Sequence, residues 1–279
     1  MNDVLRAFET LIAETDRQAD SGDYIQDGLL YCGRCGKPRQ CRVTVLGVEY
    51  KPYCMCDCEA TKYQQERAEE ERRERMKRVQ RLRETGFTDR EMMGWTFDLD
   101  DGSNQKVSGV ARRYVEHFGT MRESGQGLLL FGPVGTGKTF YAACIANALI
   151  DRGIPCCVTN FARLSNVLQG TYDGKQAIID GMKDFDLLVI DDLGAERRTD
   201  YMAETVWSII DTRYRSGLPL IVTTNMTAEE LKHPADVRDE RVFSRLYEMC
   251  LPVEVAGKDH RKGKLIDHHN NMKELLGLS

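Results

Sequence analysis

The apolar positions along the chain fall into distinct regimes. Near the start, Val4, Leu5, Phe8, Leu11 and Ile12 recur at the spacing of one helical face, which predicts a short amphipathic helix with an acidic remainder. So short a helix is marginal alone, so its stripe either packs on its own domain or docks on a partner. Farther on, "RVTVLGVEY" predicts a small β-hairpin with Gly47 at its turn. The stretch "EATKYQQERAEEERRERMKRVQRLRETG" then has almost no apolar residue until Met76, Val79 and Leu82. It predicts a solvated connector helix. Glu69 with Arg73, Glu71 with Arg75 and Glu74 with Arg78 stand in the favourable order on it, each pair contributing only a few tenths of a kcal/mol.

Beyond Gly86 the pattern turns globular. "GLLLFGPVGTGKTFYAACIANALIDRG" reads as strand, glycine-rich loop and helix; "PCCVTNFARLSNVL" as strand and helix; "FDLLVIDDLG" as strand and loop; "TVWSIIDTRYRSG" as helix; "LPLIVTTN" as strand. Strands apolar throughout, alternating with helices, predict an α/β fold whose parallel sheet is covered on both faces. Its crossovers are expected to be right-handed. One strand ends oddly, because the apolar run Leu187 to Ile190 stops at two neighbouring acids, Asp191 and Asp192. Unpartnered buried carboxylates cost several kcal/mol, so this strand end either reaches solvent or faces a cation.

Composition narrows the class. The chain has 279 residues, 41% hydrophobic and 30% charged, which suits one or two globular domains. No segment approaches the roughly 18 to 20 apolar residues of a membrane span, and "MNDVLRAFET" lacks the basic flank and apolar core of a secretory signal, so a cytoplasmic location is expected. The net charge of -5 is unevenly spread: residues 1–30 hold seven acids against two basic residues, whereas residues 31–90 hold fifteen basic against ten acidic. Strong duplex-DNA binders show a clearer basic surplus, so any nucleic-acid contact must be local or assembled from several subunits.

Six of the ten cysteines crowd into "CGRCGKPRQCRVTVLGVEYKPYCMCDC". Without a secretory signal, metal binding outranks disulfides for such a cluster. A C-x2-C pair, a hairpin's length, then C-x-C-x-C form a zinc-ribbon layout with more thiolates than tetrahedral zinc needs. Cys32 and Cys35 are two ligands; the other two come from Cys54, Cys56 and Cys58, and Cys41 is a bystander. The remaining four, Cys144, Cys156, Cys157 and Cys250, read as small core hydrophobes.

The glycine loop is the most specific signal. Gly132, Gly137, Lys138 and Thr139 satisfy G-x-x-x-x-G-K-[ST], with a strand before and a helix after. The cradle comprises Gly132, Pro133, Val134, Gly135, Thr136 and Gly137, followed by Lys138, Thr139 and Phe140. Its backbone N–H groups and the helix start suit phosphates, Lys138 reaches the β and γ phosphates, and Thr139 holds magnesium. Asp191 then has the form of the second magnesium partner, directly or through water. Asp192 stands where a carboxylate polarises the attacking water; being shorter than glutamate, it either holds the water closer or shares the task with Glu196. Asn225, just after an apolar strand, orients that water, while Thr227 is the better cap for the following helix. Arg241 and Arg245 lie four apart on one helix face, and a guanidinium at a subunit boundary is what an arginine finger requires.

Together, "GPVGTGKT", "LLVIDDLGAE", "IVTTN" and "RVFSRL" resemble the AAA+ ATPases of the DnaC and DnaI helicase-loader group, related to the IstB transposition ATPases. The resemblance covers roughly Phe97 to Lys264. It implies an ATPase that self-associates with ATP sites shared between subunits, Asn225 as first sensor, and Arg245 as the finger acting in trans, with Arg241 as substitute. It also implies that the extra helical lid is missing; Arg261 is the one candidate for a second sensor. The amino-terminal part resembles the zinc-binding adaptor with which some loaders grip the replicative helicase.

The expected organisation is an acidic helical arm over residues 1–30, a zinc-binding module over 31–60, a charged connector helix over 61–90 and an AAA+ domain over 91–279. The expected role is loading a replicative helicase onto single-stranded DNA with ATP, magnesium and zinc as cofactors. The alternative is an IstB-like ATPase assisting a transposase. A small-molecule P-loop kinase is disfavoured, since no lid or acceptor site is evident. Phe161 and Lys175, in the segment after the second strand, are candidates for single-stranded DNA contacts, although core packing and a solvated charge are their simpler readings.

Overall fold

The structure, a computed structural model, describes residues 20–170, 174–194, 199–234, 236–260, 269–270 and 272–277. The helix expected from Val4, Leu5, Phe8, Leu11 and Ile12 lies outside the described residues, as do Glu196 and Arg261. The chain divides into two compact units, one ending at Met76 and the other beginning at Lys77.

The first unit carries two antiparallel hairpins, β1 (Tyr24–Gln26) with β2 (Leu29–Tyr31) and β3 (Val43–Val45) with β4 (Val48–Tyr50). Both turn on two residues with positive φ, Asp27 and Gly28 at 53° and 72°, Leu46 and Gly47 at 52° and 84°. That is the backbone a two-residue hairpin demands. The second hairpin is the one the alternation around Gly47 predicts. The first falls within the stretch expected to be a helical arm, where only Asp27-Gly28 signals it. Apolar side chains do little for this unit: Ile25 and Leu46 are exposed. Buried Arg39 ties it together instead, pairing with Asp20 at 2.7 Å and Asp23 at 2.9 Å.

Helix α1 (Asp57–Gly86) runs 30 residues, and the boundary between the units falls inside it. Its ion pairs include Lys62–Glu66 at 3.6 Å and Arg67–Glu71 at 3.4 Å, both exposed and therefore worth little. Arg78, expected beside Glu74, donates to the Gly153 carbonyl at 3.2 Å. Val79 and Leu82 pack on the core of the second unit, which explains why apolar residues reappear late in this helix.

The second unit is a five-stranded sheet in the order β6 (Cys156–Asn160), β7 (Leu187–Leu193), β8 (Leu220–Thr224), β5 (Gly127–Phe131), β9 (Cys250–Glu254). Every pairing is parallel. Alternate residues serve opposite faces. Leu128, Leu130, Val189 and Ile221 join a core with α2 (Gln105–Glu116), α3 (Phe118–Ser124) and α4 (Lys138–Asp151). On the other face, Leu129, Leu188, Ile190 and Val222 meet α5 (Phe161–Gln169), α6 (Lys175–Gly181), α7 (Asp200–Ser216) and, beyond the short α8 (Ala228–Lys232), α9 (Val237–Met249). Two covered faces leave no polar side for the strands, so their sequences are apolar throughout.

β9 carries no such signature. Pro252 and Glu254 interrupt it, and only an edge strand tolerates a proline there. Arg213 is 1% exposed, yet its guanidinium donates to the carbonyls of Met182, Phe185, Asp186 and Pro219 at 2.7–3.1 Å. It thereby fixes the end of α7 to the entries of β7 and β8. Cys144, Cys156 and Cys250 are buried and Cys157 is half-buried, in keeping with small core residues. Among the described residues no helix is long and apolar enough to cross a membrane.

Candidate functional site

The loop between β5 and α4 turns on glycines because no other residue fits. Gly132 has φ 135°, and a Cβ there would stand 2.7 Å from the Val255 carbonyl oxygen; at Gly135, φ 80°, it would stand 1.9 Å from Asp259 Oδ1. Gly137 caps α4 without any side-chain hydrogen bond. The first N–H groups of α4 are therefore left for an anion, reinforced by the helix dipole. Lys138 is only 6% exposed and its Nζ donates to the carbonyls of Gly132 at 2.9 Å and Pro133 at 2.7 Å. A cavity of about 610 Å³ opens over the loop. Val134, Gly135, Thr136, Gly137, Lys138, Thr139 and Phe140 line it, with Asp191, Asp192 and Asn225 at the sheet's carboxyl edge.

The two acids of β7 are separated by a bulge. Ile190 pairs with Val222 but the next partners are Leu193 and Thr224, so β7 carries one extra residue. Asp192 takes it up in the left-handed region at φ 62°. Strict alternation would send neighbouring side chains to opposite faces; the bulge lets both line one cavity. Asp191 Oδ1 accepts from Thr223 Oγ1 at 2.6 Å and Thr139 Oγ1 at 2.8 Å. Burial pushes its pKa above the usual carboxylate range, opposed by those two hydroxyls; Asp192 adds to the rise and Lys138 counters it. A buried carboxylate beside a P-loop threonine is a donor set that fits magnesium. Asp192 N–H donates to Thr223 Oγ1 at 2.9 Å, and Asn225 Nδ2 donates to Asp192 Oδ1 at 2.6 Å. Thr227, not Asn225, caps α8, in a capping box with Glu230.

Several expected residues lie elsewhere. Arg245, on α9, is not among the cavity's lining; its guanidinium pairs with Asp211 at 2.8 Å and sits over the rings of Tyr214 at 4.3 Å and Trp207 at 4.9 Å. Arg241 is exposed and has no side-chain partner among the described residues. Phe161 is buried core, and Lys175 Nζ lies 4.1 Å from the ring centre of Tyr201. The sequence reading missed the cavity's other wall, formed by Glu91, Trp95, Leu99, Asp100, Asp101, Ser103, Tyr141 and His260. His260 Nδ1 stands 3.4 Å from Asp101, and its backbone N–H donates to Gly135 O at 3.0 Å. Tyr141 belongs to α4, but Glu91, Trp95, Leu99, Asp100, Asp101 and Ser103 lie in short 3-10 turns and loops that no periodic pattern marks.

In the first unit, one ligand atom each from Cys32, Cys35, Cys56 and Cys58 lies within 4.8 Å of the others. Zn–S bonds of about 2.3 Å at tetrahedral angles put sulfurs about 3.8 Å apart, so the set fits zinc. The backbone N–H of Cys35, then that of Arg34, draws the Cys32 thiol down to about 6, and the backbone N–H of Lys37 lowers the Cys35 thiol. The Cys35 side chain pushes Cys58 up to about 12. Cys54 stands outside this cluster; burial, then the neighbouring Cys41, raises its thiol.

Residues 60–266 match the family of IstB-like ATP binding proteins. The chain belongs to that family. This IstB-like protein is 27% identical over 205 residues to the replicative helicase loader DnaI of Bacillus subtilis (strain 168), a match covering 67% of this chain and 65% of DnaI. Over 140 residues it is 30% identical to the replicative helicase loader DnaC of Escherichia coli (strain K12), covering 49% of this chain and 55% of DnaC. The phage-like element PBSX protein XkdC of Bacillus subtilis (strain 168) is 25% identical over 260 residues, 90% of this chain and 88% of XkdC. The chain thus spans less than two thirds of the length of the two helicase loaders. Among solved structures, DnaI superposes with a TM-score of 0.52 at 26% identity, over 64% of this chain and 99% of that one. The DnaC helicase loader gives 0.50 at 26% identity, over 60% and 100%. In the IstB-like protein the cysteine cluster precedes the matched segment, which begins at residue 60.

Proposed function

We propose that this IstB-like protein hydrolyses ATP and loads a replicative helicase onto single-stranded DNA. The observation that carries the reading is the junction of Thr139, Asp191, Asp192 and Asn225 over the P-loop. The helicase loaders DnaI and DnaC among its relatives supply the direction.

The loop N–H groups and Lys138 hold the β and γ phosphates. Thr139 and Asp191 hold magnesium, which neutralises phosphate charge when bound. Asp192 accepts a proton from the attacking water, and Asn225, hydrogen-bonded to Asp192, keeps carboxylate and water aligned. Arg245 completes a neighbouring subunit's site as its arginine finger, with Arg241 as the alternative cation. Arg245 must leave Asp211 to do so, which makes finger release part of assembly. Cys32, Cys35, Cys56 and Cys58 hold zinc in the module that grips the helicase.

The test is ATP-dependent transfer of a purified replicative helicase from this protein onto single-stranded DNA, read by helicase footprint. Transfer with ATP but not with the Lys138→Ala variant supports the reading. No transfer from any replicative helicase, together with ATP-dependent binding to a transposase, replaces it with the transposase-assisting role.

A further inference from the structure

We propose that Asn147 is a positioning residue that builds the base-side wall of the nucleotide cavity. The inference rests on the ATP-site reading above and adds to it how the non-phosphate half of the ligand is recognised.

The phosphate end of the cavity is set by the loop, Asp191 and Asp192, which leaves the ring system of a nucleotide to the other end. There Trp95, Leu99 and Tyr141 supply apolar and aromatic surface, and Glu91 and Asp100 supply acceptors. Planar contact plus acceptors suits adenine, whose 6-amino group donates where guanine presents a carbonyl. Trp95 and Leu99 do not belong to the sheet. They lie at two 3-10 turns, Glu91–Gly94 and Phe97–Leu99, in a segment with no long helix or ladder of its own. Something else must hold them against α4.

Asn147 does so. It is 1% exposed within the mostly apolar, buried helix α4. Its Nδ2 donates to Met92 O at 2.8 Å and Trp95 O at 2.9 Å, as well as to Ala143 O of its own helix at 3.1 Å. Its Oδ1 is buried with no partner among the described residues. A buried amide with one end unpartnered costs free energy, which the bonds of its other end to Met92 and Trp95 must offset. Its two long-range bonds both end on the segment that carries the ring-contacting side chains. Asn147 also stands two turns from Phe140, on the same helix face. The Phe140 ring lies 6.2 Å from Trp95 and 5.4 Å from Tyr141, so loop, helix and wall meet there.

The experiment compares ATP, GTP and inorganic tripolyphosphate binding by the full chain and by Asn147→Ala and Asn147→Leu, with thermal unfolding as the folding control. Tripolyphosphate uses only the loop. Loss of the wall is expected to weaken ATP about tenfold, the equivalent of one or two neutral hydrogen bonds, and to leave tripolyphosphate within about twofold. The preference for ATP over GTP should shrink in parallel. ATP and tripolyphosphate weakening together, or neither changing, overturns the inference. Failure of the unsubstituted chain to bind ATP at all overturns the ATP-site reading itself. Should both Asn147 variants fail to fold, Trp207→Phe leaves Trp95 as the sole indole of the two. Its fluorescence must then respond to ATP and not to tripolyphosphate, and an equal response to both overturns the wall.

Discussion

Asp192→Asn separates holding ATP from hydrolysing it. The substitution keeps shape and volume, and asparagine accepts the left-handed backbone at φ 62° as readily as aspartate does. The Thr223 hydroxyl still accepts the backbone N–H of residue 192, and a carboxamide oxygen can still accept from Asn225. Folding stability should therefore change by no more than about 0.5 kcal/mol. Losing the charge also removes a neighbour that raises the Asp191 pKa. The substitution therefore makes the Asp191 carboxylate no harder to ionise, and magnesium–ATP binding should be kept. What disappears is proton acceptance from water, a contribution of about 10²- to 10⁴-fold, or about 3 to 5 kcal/mol on the barrier. Calorimetric titration with ATP should give an affinity within about threefold of the parent, while phosphate release falls by at least about a hundredfold. Hydrolysis left within about threefold of the parent would refute the role of Asp192 and move it to Glu196; lost ATP binding would refute the division of labour.

Lys138→Ala should abolish ATP turnover, and Arg245→Ala should lower it in assembled protein while leaving ATP binding intact; a strict monomer hydrolysing at full rate would remove the need for a finger in trans. Cys56→Ser should remove most of about one zinc per chain and Cys54→Ser almost none, by elemental analysis of purified protein; equal loss in both would discard the four-sulfur set. Arg213→Met leaves the carbonyls of Met182, Phe185, Asp186 and Pro219 without their buried donor, so urea unfolding should show a loss of about 3 to 5 kcal/mol. A loss under about 1 kcal/mol would mean that water replaces the guanidinium there.

What could be read from the sequence was what depends on local rules. Leu128 to Phe131 and Leu187 to Ile190 announce buried parallel strands because both faces are covered. Gly132, Gly137, Lys138 and Thr139 announce an anion loop because its geometry needs those residues at fixed offsets. Features set by distant contacts stayed hidden. β9 is an edge strand whose Pro252 and Glu254 break any apolar run. The Trp95 and His260 wall is assembled from loops far apart in sequence, and its anchor, Asn147, looks like an ordinary polar residue on a helix. Spacing alone gave no choice among Cys54, Cys56 and Cys58. The backbone decides it, because Cys54 N–H donates to Arg39 O at 2.7 Å and its thiol lies toward Pro38 O and the neighbouring Cys41 rather than the cluster.

The bulge in β7 has a consequence for how such a protein could keep time. On the role proposed for Asp192, one extra residue, and not a second structural element, sets that carboxylate apart from Asp191, so a change at a single codon would alter the lifetime of an ATP-bound state without rebuilding the seat for the nucleotide. Chains sharing this strand would then differ in how long they hold ATP while keeping the same fold.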